Sequence, residues 1–292
     1  MNVSSLVLLR CADFPRVWRQ RISLLLGLSL LAVSCAGHAT VIGGSSSSYG
    51  VEASVTSTVL GISTTVTVGP ASNSSGVAPA QYTDSDSVAS LKAGLLGLLS
   101  VSTGVLQTSA HSDIDGLAGS KFADADASVM GLSITALAGL LTLSADLVTS
   151  GANVSGDYGG LAASGGVTLV NAKISGPLGS VFLDASPLPN SALNLDVLGL
   201  TGVSLILNEQ ILTGDGDSSR SLAVNAIHLA INGFVSGLAT FTGNIVISHS
   251  EAALVQAVGD QPAQVPEPGT LSLIAVLAFV PRFRRRSAGF SE

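Results

Sequence analysis

The sequence contains few charged and few aromatic side chains. Charged residues make up 11% of the chain and aromatic residues 4%, whereas an ordinary soluble domain has about 25% charged residues. The apolar content is 47%, supplied mostly by Ala, Val and Leu, and 33 residues are glycine. Small side chains of this kind suit thin β-sheet layers better than a bulky helical core. The composition is typical of exported surface proteins.

An N-terminal export signal is indicated by the first 39 residues. Four arginines between residues 10 and 21 precede an apolar run at 22–36, and small residues follow at Gly37 and Ala39. This order of a basic, an apolar and a small-residue region predicts a signal peptide cleaved after Ala39. An uncleaved anchor is the less favoured alternative, because the run is short for a membrane span of about 20 residues.

Cysteine does not occur after residue 35. Both cysteines, Cys11 and Cys35, lie in the segment expected to be removed, so the mature protein is predicted to form no disulfide. One alternative is a lipid-modified N-terminus at Cys35, within AVSC. That motif has Ala32 where a lipobox usually has leucine.

Basic residues are scarce between the two ends of the chain. Residues 40–264 hold 16 acidic against four basic residues, a net charge of −12. Nucleic acid is therefore not an expected partner, because binding it needs a basic face. The other eight basic residues flank the two terminal apolar runs. That placement is typical of segments whose basic side faces the cytoplasm.

The C-terminal segment 265–292 combines three features in a short stretch. Pro266, Glu267 and Pro268 form an extended segment, since each proline fixes φ and disfavours helix before it. An apolar run follows at 269–280 and predicts a short helix, about 18 Å long against a hydrocarbon core of about 30 Å. A basic cluster closes the segment with Arg282, Arg284, Arg285 and Arg286. The pattern predicts transient membrane attachment through 269–286.

This tail resembles the PEP-CTERM sorting signal. The resemblance rests on Pro266, Glu267 and Pro268, the apolar run and the arginine cluster. It implies recognition and processing by the membrane protease exosortase, after signal peptidase has removed the leader. It also implies a Gram-negative bacterium that makes extracellular polysaccharide, with the protein delivered to the cell surface or the biofilm matrix.

The body at 40–251 is predicted to be all-β, an antiparallel sandwich, joined to the tail by a polar linker at 252–264. β-Branched and alternating stretches predict strands; they lie at 49–59, 63–69, 194–207, 221–231 and 241–250. One stretch, 91–101, is a candidate short helix despite two internal glycines. Polar and Gly/Pro-rich segments predict loops; they lie at 45–50, 69–81, 186–191 and 214–219.

A short pattern recurs three times, as VLGIS, VMGLS and VLGLT. Its glycines, Gly61, Gly131 and Gly199, are predicted to allow a bulge or bend between strand segments. The copies are consistent with an old duplication or with coincidence, and no fixed period of 20–50 residues favours a β-solenoid.

The body also resembles the choice-of-anchor P family, on short segments in a fixed order. These are YG near residue 49, SVAS near 87, LNEQ at 207–210, VNAIHL at 224–229 and SHSEA at 248–252. The resemblance implies an all-β exported protein with an interchangeable C-terminal anchor. It implies no activity.

Catalytic and zinc motifs are missing from the sequence. There is no G-x-S-x-G elbow, and the tripeptides at 111–113 and 249–251 place His, Ser and an acid on neighbouring residues that face opposite sides of a strand. The histidines of the body are His111, His228 and His249, and no HExxH motif is present. His228 lies in an apolar alternation and is predicted to be half-buried and hydrogen-bonded. The sequence predicts no enzyme and no cofactor.

Paired aspartates suggest calcium as an alternative. Carboxylates at i and i+2 on a loop can converge on one cation, and Asp215 and Asp217 are the best candidates. The other pairs are Asp84 with Asp86, Asp113 with Asp115, and Asp124 with Asp126.

Two functional hypotheses remain open from sequence. The first is a non-catalytic surface or matrix protein that contacts extracellular polysaccharide. The second is a secreted hydrolase or calcium-dependent binding protein whose site is assembled from distant residues.

Overall fold

The computed structural model describes residues 41–256, apart from 96, 118 and 158. Fifteen antiparallel strands and two single-turn 3₁₀ helices make up this part of the chain. The strands are β1 (Val41–Val59), β2 (Ile62–Val77), β3 (Tyr82–Val88), β4 (Leu91–Leu95), β5 (Leu99–Thr103), β6 (Leu106–Ser112), β7 (Lys121–Ala136), β8 (Leu141–Asp157), β9 (Gly160–Val170), β10 (Lys173–Gly176), β11 (Gly179–Phe182), β12 (Ser191–Asn194), β13 (Val203–Thr213), β14 (Ser219–Ser236) and β15 (Ala239–Gln256). The 3₁₀ helices span Leu137–Gly139 and Asp196–Leu198.

The strands form two sheets that pack face to face. A six-stranded sheet has the order β12-β13-β14-β15-β1-β2. A nine-stranded sheet is built around the long hairpin of β7 and β8, with β5 and β6 beside β7 and with β9 and β10 beside β8. Strands β1, β14 and β15 lie across β6 to β9 of the other sheet. The predicted all-β, antiparallel sandwich is confirmed; the predicted signal peptide and sorting helix lie outside the described residues.

The buried side chains fall into two apolar clusters with a polar layer between them. The larger cluster lies toward the β1–β2 turn and includes Leu143 and Leu205, and the smaller lies toward residues 41 and 256 and includes Leu254. Between them is a group that we name the serine layer; its members are Ser48, Ser74, Thr108, Ser150, Ser248 and Ser250. Their hydroxyls hydrogen-bond between the two sheets, for example Ser150 to Ser250 at 2.8 Å.

The six-stranded sheet changes its inward-facing side at one level across five strands. In β15 the consecutive residues Ile247 and Ser248 are both buried, so the inward set shifts from odd to even residues there. Asn208 of β13 and Ser72 of β2 lie at the same level and, like Ser248, have left-handed φ values, between 49° and 55°. At this bend the outward residues on either side, such as Val246 and His249 of β15, are separated by two inward residues instead of one.

Several sequence predictions for individual elements were wrong. Residues 91–101 form β4, a turn and β5 instead of a helix, and Gly94 and Gly97 have φ values of 130° and 84° that no helix accommodates. The predicted loop at 45–50 lies within β1, and most of the loop at 69–81 lies within β2, because their serines alternate between the interior and solvent.

Other boundaries also differ from the predictions. The segment 194–207 is interrupted by the 3₁₀ helix at 196–198. Strand β15 continues to Gln256 and includes the first five residues of the predicted linker, because Ala252 and Leu254 are buried in the smaller cluster. The three recurring glycines do mark bends as predicted, with φ values of 82° at Gly61, 58° at Gly131 and 77° at Gly199.

Candidate functional site

A line of polar side chains crosses four adjacent strands on the outer face of the six-stranded sheet. Register pairs Glu209 with Asn225, Asn225 with His249, and His249 with Tyr49. Directly paired residues of antiparallel strands face the same side. We name these four residues the polar row. His228 and Glu52, at the next outward positions of β14 and β1, contact the row through Glu209 and the Tyr49 hydroxyl.

Hydrogen bonds link the polar row in a defined direction. His249 Nδ1 donates to Asn225 Oδ1 at 2.6 Å, because an amide oxygen can only accept. Asn225 Nδ2 then donates to Glu209 Oε2 at 2.7 Å. The same carboxylate oxygen accepts from His228 Nδ1 at 2.9 Å. His228 is therefore half-buried and hydrogen-bonded, as the alternation around it predicts.

Tyr49 and His249 stack, with ring centroids 4.5 Å apart. Burial raises the pKa of the Tyr49 hydroxyl, and so do the charge of Glu52 and its hydrogen bond to the hydroxyl. Burial lowers the pKa of His249, against the opposing charges of Glu52 and Glu209. The neutral forms of both rings are therefore favoured in the folded protein.

The polar row is assembled from four short segments of the sequence, YG, LNEQ, VNAIHL and SHSEA. YG supplies Tyr49, LNEQ supplies Glu209, VNAIHL supplies Asn225 and His228, and SHSEA supplies His249. The His228 ring is hydrogen-bonded to the Glu209 carboxylate, and the His249 ring is hydrogen-bonded to the Asn225 amide. Such a network can orient side chains and fix the register of four strands. His111, the third histidine of the hydrolase hypothesis, lies on the other sheet.

A second polar surface covers the outer face of the nine-stranded sheet. Three parallel rows of cross-strand partners run over β3, β6, β7, β8 and β9. The rows are Thr83, His111, Asp124, Asn153 and Ser164; Ser85, Ser109, Asp126, Gly151 and Gly166; and Ser87, Gln107, Ser128, Thr149 and Thr168. They present hydroxyl, amide and carboxyl groups to solvent at strand spacing.

The middle row forms a shallow depression, which we name the trough. Its volume is about 760 Å³, and it is lined by residues of all five strands, including Ser85, Gln107 and Asp126. Gly151 and Gly166 lower its floor, because neither carries a side chain. Burial raises the pKa of Asp126. Burial also raises the pKa of Asp124, where the charge of His111, 3.6 Å away, acts in the opposite direction.

One of the four aspartate pairs, Asp84 with Asp86, closes the open side of the sandwich. Asp86 Oδ2 accepts a hydrogen bond from the backbone N–H of Asn73 at 3.1 Å, and Asp84 Oδ2 accepts one from the N–H of Ser75 at 2.9 Å. Asn73 and Ser75 belong to β2, the edge strand of the six-stranded sheet. The two carboxylates thus satisfy backbone donors that a further strand would otherwise pair with.

Asp215 and Asp217, the calcium candidates, lie in a turn that Asp215 stabilises by hydrogen bonds. Asp215 Oδ1 accepts from the backbone N–H groups of Asp217, Ser218 and Ser219 at 2.8–3.1 Å, and Asp215 Oδ2 accepts from the Ser218 hydroxyl at 2.7 Å. These hydrogen bonds lower the pKa of Asp215. Elsewhere, Asp115 Oδ1 lies 2.6 Å from Lys121 Nζ, and this pairing lowers the pKa of Asp115. Within the described residues, no group of three or more His, Cys, Asp or Glu side chains could hold a metal ion.

The predicted processing sites lie outside the described residues. These are the cleavage site at Ala39, the motif Pro266, Glu267 and Pro268, and the cluster Arg282, Arg284, Arg285 and Arg286. The part of the chain that the structure does describe contains no helix with the length and apolarity needed to cross a membrane.

Comparison with known proteins finds remote structural likeness. No family model matches the chain, and no curated protein matches it. A solved structure, the attachment invasion locus protein Ail of Yersinia pestis, aligns with 74% of this chain and 99% of its own at 9% identity and a TM-score of 0.15. A likeness at that level carries no argument about function.

Sequence reasoning missed both polar surfaces. The signal for the trough is present in β7, where FADADASV alternates alanine or valine with polar or aromatic residues. The pairing of β7 with β6 and β8, which turns separate alternations into rows, depends on contacts that no single segment reveals.

Proposed function

We propose that this chain is an exported, non-catalytic protein of the bacterial cell surface or extracellular matrix. Signal peptidase removes the leader, and exosortase processes the C-terminal tail. The folded body then contacts extracellular polysaccharide through the trough. No cofactor takes part in this function.

The observation that carries the proposal is the chemistry of the trough. Sugar hydroxyls both donate and accept hydrogen bonds. The trough is lined with Ser, Thr and Gln side chains, which also donate and accept, and with Asp side chains, which accept. Its floor crosses five strands, a length of about 19 Å at the usual strand spacing of about 4.8 Å. That length suits several sugar units of a polymer better than one small molecule.

The positions of the chain ends support surface display. Val41 pairs directly with Gln256, so the predicted leader and the predicted tail join the body at the same end. The tail can therefore hold the body at that end while the outer faces of both sheets stay accessible. The sorting step itself rests on the resemblance of residues 265–292 to the PEP-CTERM signal.

Polysaccharide binding is tested by filling the trough. Gly166 faces outward and its φ lies outside the left-handed region. A Cβ atom added to it would have no other atom within 4 Å, so the leucine of Gly166→Leu can occupy the trough without strain. Gly160→Leu is the matched control, because Gly160 has the same free space on the same strand, about 20 Å away. The measurement is retention of each protein on immobilised matrix polysaccharide from the native host.

We expect Gly166→Leu to reduce retention at least tenfold and Gly160→Leu to bind like the wild type. A loss of at least two sugar hydrogen bonds, each worth about 0.5–1.5 kcal/mol, accounts for that size of effect. Equal retention of both variants, or no retention of the wild type, contradicts the assignment of the trough.

A further inference from the structure

The end of the sandwich opposite Val41 and Gln256 exposes large aliphatic side chains in turns that nearly lack charged residues. Six of them, on five turns or connections, define what we name the aliphatic tip. They are Leu60, Ile62, Leu95, Leu178, Val197 and Leu238, and each is 50–81% exposed. Single exposed aliphatic residues are common on soluble proteins, but neighbouring ones with almost no charged residue among them form the kind of apolar patch that serves as an interaction site.

The turns of the tip are neighbours in space. Val59 pairs with Ala239, which places the β1–β2 turn beside the β14–β15 turn. Leu60, Ile62 and Leu95 line one shallow hollow of about 490 Å³. On the other side, the backbone N–H of Leu178 donates to the carbonyl of Leu198, which joins the β10–β11 turn to the 3₁₀ helix that carries Val197.

Charge is almost excluded from the tip. The segments 57–64, 93–100, 176–182 and 232–242 contain no charged residue, and 195–203 contains only Asp196. The opposite end carries Asp113 and Asp115 before β7, Lys121 at the start of β7, and Asp215, Asp217 and Arg220 around the β13–β14 turn. The two ends are about 60 Å apart, from the 19 residues of β1 at about 3.3 Å per residue.

We propose that the aliphatic tip docks on a zwitterionic lipid surface, with the turn side chains entering the interfacial layer. Charged groups are costly in apolar surroundings, and the tip segments nearly lack them. Protein interfaces favour Tyr, Trp and Arg, none of which occurs in the tip segments. The net negative charge of the body favours zwitterionic over anionic headgroups. This surface is distinct from the trough and does not depend on polysaccharide binding.

Single-tryptophan reporters in the full chain test the proposal by position. Trp18, the native tryptophan, is replaced by phenylalanine, and one tryptophan is introduced by Leu238→Trp at the tip or by Leu188→Trp at the side of the body. The two leucines are matched, at 75% and 77% exposed. The probe is a vesicle of phosphatidylcholine with brominated acyl chains, which quench tryptophan only at close range.

We expect lipid-dependent quenching and a blue shift for Leu238→Trp and neither for Leu188→Trp. Adding Leu60→Ser to Leu238→Trp should weaken the vesicle affinity by about tenfold, whereas adding Leu117→Ser, a change of a 66% exposed leucine at the opposite end, should not.

Three outcomes would overturn the proposal. One is no quenching at either position, and another is equal quenching at both, which shows insertion without orientation. The third is a blue shift of Leu238→Trp that rises with protein concentration in the absence of lipid, because the occupant is then a second copy of the chain. Far-UV circular dichroism checks that each variant keeps its β-structure.

Discussion

Serine side chains connect the two sheets of this protein at positions where most cores have leucine or valine. Ser248 donates to the carbonyl of Ala127 at 2.9 Å, and its hydroxyl lies 3.0 Å from that of Ser150. Ser250 donates to the Ser150 carbonyl at 3.2 Å. Because each hydroxyl is buried, its stabilising effect depends on keeping these partners. The layer thereby specifies how the sheets align, which an apolar interface of Ala and Val would do less strictly.

Removing one hydroxyl of the layer should destabilise the fold. We expect Ser250→Ala to lower the free energy of unfolding by about 1–3 kcal/mol, because it leaves the buried Ser150 groups with fewer partners. Urea denaturation measures the change. Ser63→Ala is the control: Ser63 also hydrogen-bonds, to Thr58 at 2.8 Å, but in solvent, so a change within about 0.5 kcal/mol is expected. Equal effects of the two substitutions would contradict a structural role for the layer.

His249 should make stability depend on pH. Burial lowers its pKa in the folded state, so below about pH 6.5 the unfolded chain binds more protons than the folded one. The stabilisation is complete above that pH and is lost as pH falls through the folded-state pKa. We therefore expect the free energy of unfolding, measured in urea, to decrease between pH 8 and pH 5.5.

Two variants separate His249 from other titrating groups. His249→Gln should flatten the decrease between pH 8 and pH 5.5, while His111→Gln, which removes a histidine from the other sheet, should retain it. The raised pKa values of Asp124 and Asp126 act in the opposite direction, since their contribution is present at acid pH and is lost as pH rises. Identical slopes for wild type and His249→Gln would show that His249 is not the source.

Part of this residue-level account could be predicted from sequence. The partial burial of His228 followed from apolar neighbours at alternate positions. The roles of the aspartate pairs did not, because Asp84 finds its partner on β2 and Asp115 finds its partner at Lys121. A carboxylate pair looks the same in sequence whether it binds a cation, a lysine or a backbone amide.

At the level of elements, the edges of the two sheets are joined by side chains. Asp84 and Asp86 project from β3 of one sheet to the backbone of β2 at the edge of the other. An exposed strand edge is a template for pairing with another chain, and charged side chains are a common means of blocking it. The edge of β2 is therefore blocked against pairing with a strand of another chain.

Amide hydrogen exchange tests the edge contacts. Replacing both residues by alanine should accelerate exchange at the amides of Asn73 and Ser75 by about fivefold, since each amide loses an acceptor worth about 1 kcal/mol. Asp84→Asn with Asp86→Asn is the matched control, because each asparagine retains an oxygen acceptor. Unchanged exchange in the alanine variant would show that the amides are protected by another contact.

The extent of individual elements was the hardest part to predict. Serines at 45–48 and at 72, 74 and 75 suggest loops by composition, yet alternate serines of β1 and β2 are buried against polar partners of β6. The bend of the six-stranded sheet shifts the alternation by one residue in five strands. The alternation of buried and exposed residues that identifies a strand is therefore interrupted near residue 248, although β15 continues to Gln256.

Over the whole molecule, the described body has two contrasting ends and two polar faces. The chain enters and leaves at one end, beside a cluster of charged turns, and the aliphatic tip lies at the other. The sequence predicted the all-β sandwich because small and β-branched side chains dominate it. It did not predict this polarity, because the turns of the tip are far apart along the chain and meet only through strand pairing.

The central claim, that the protein is exported and sorted through its tail, is tested most directly by mass. The measurement is the intact mass and C-terminal peptide map of the protein recovered from its native host, with and without exosortase. We expect the chain to begin at Thr40 in both strains and to lose the residues after Pro266, Glu267 and Pro268 only where exosortase is present. An intact tail with Arg282 to Arg286 in both strains would contradict the claim and would make residues 269–286 a retained anchor.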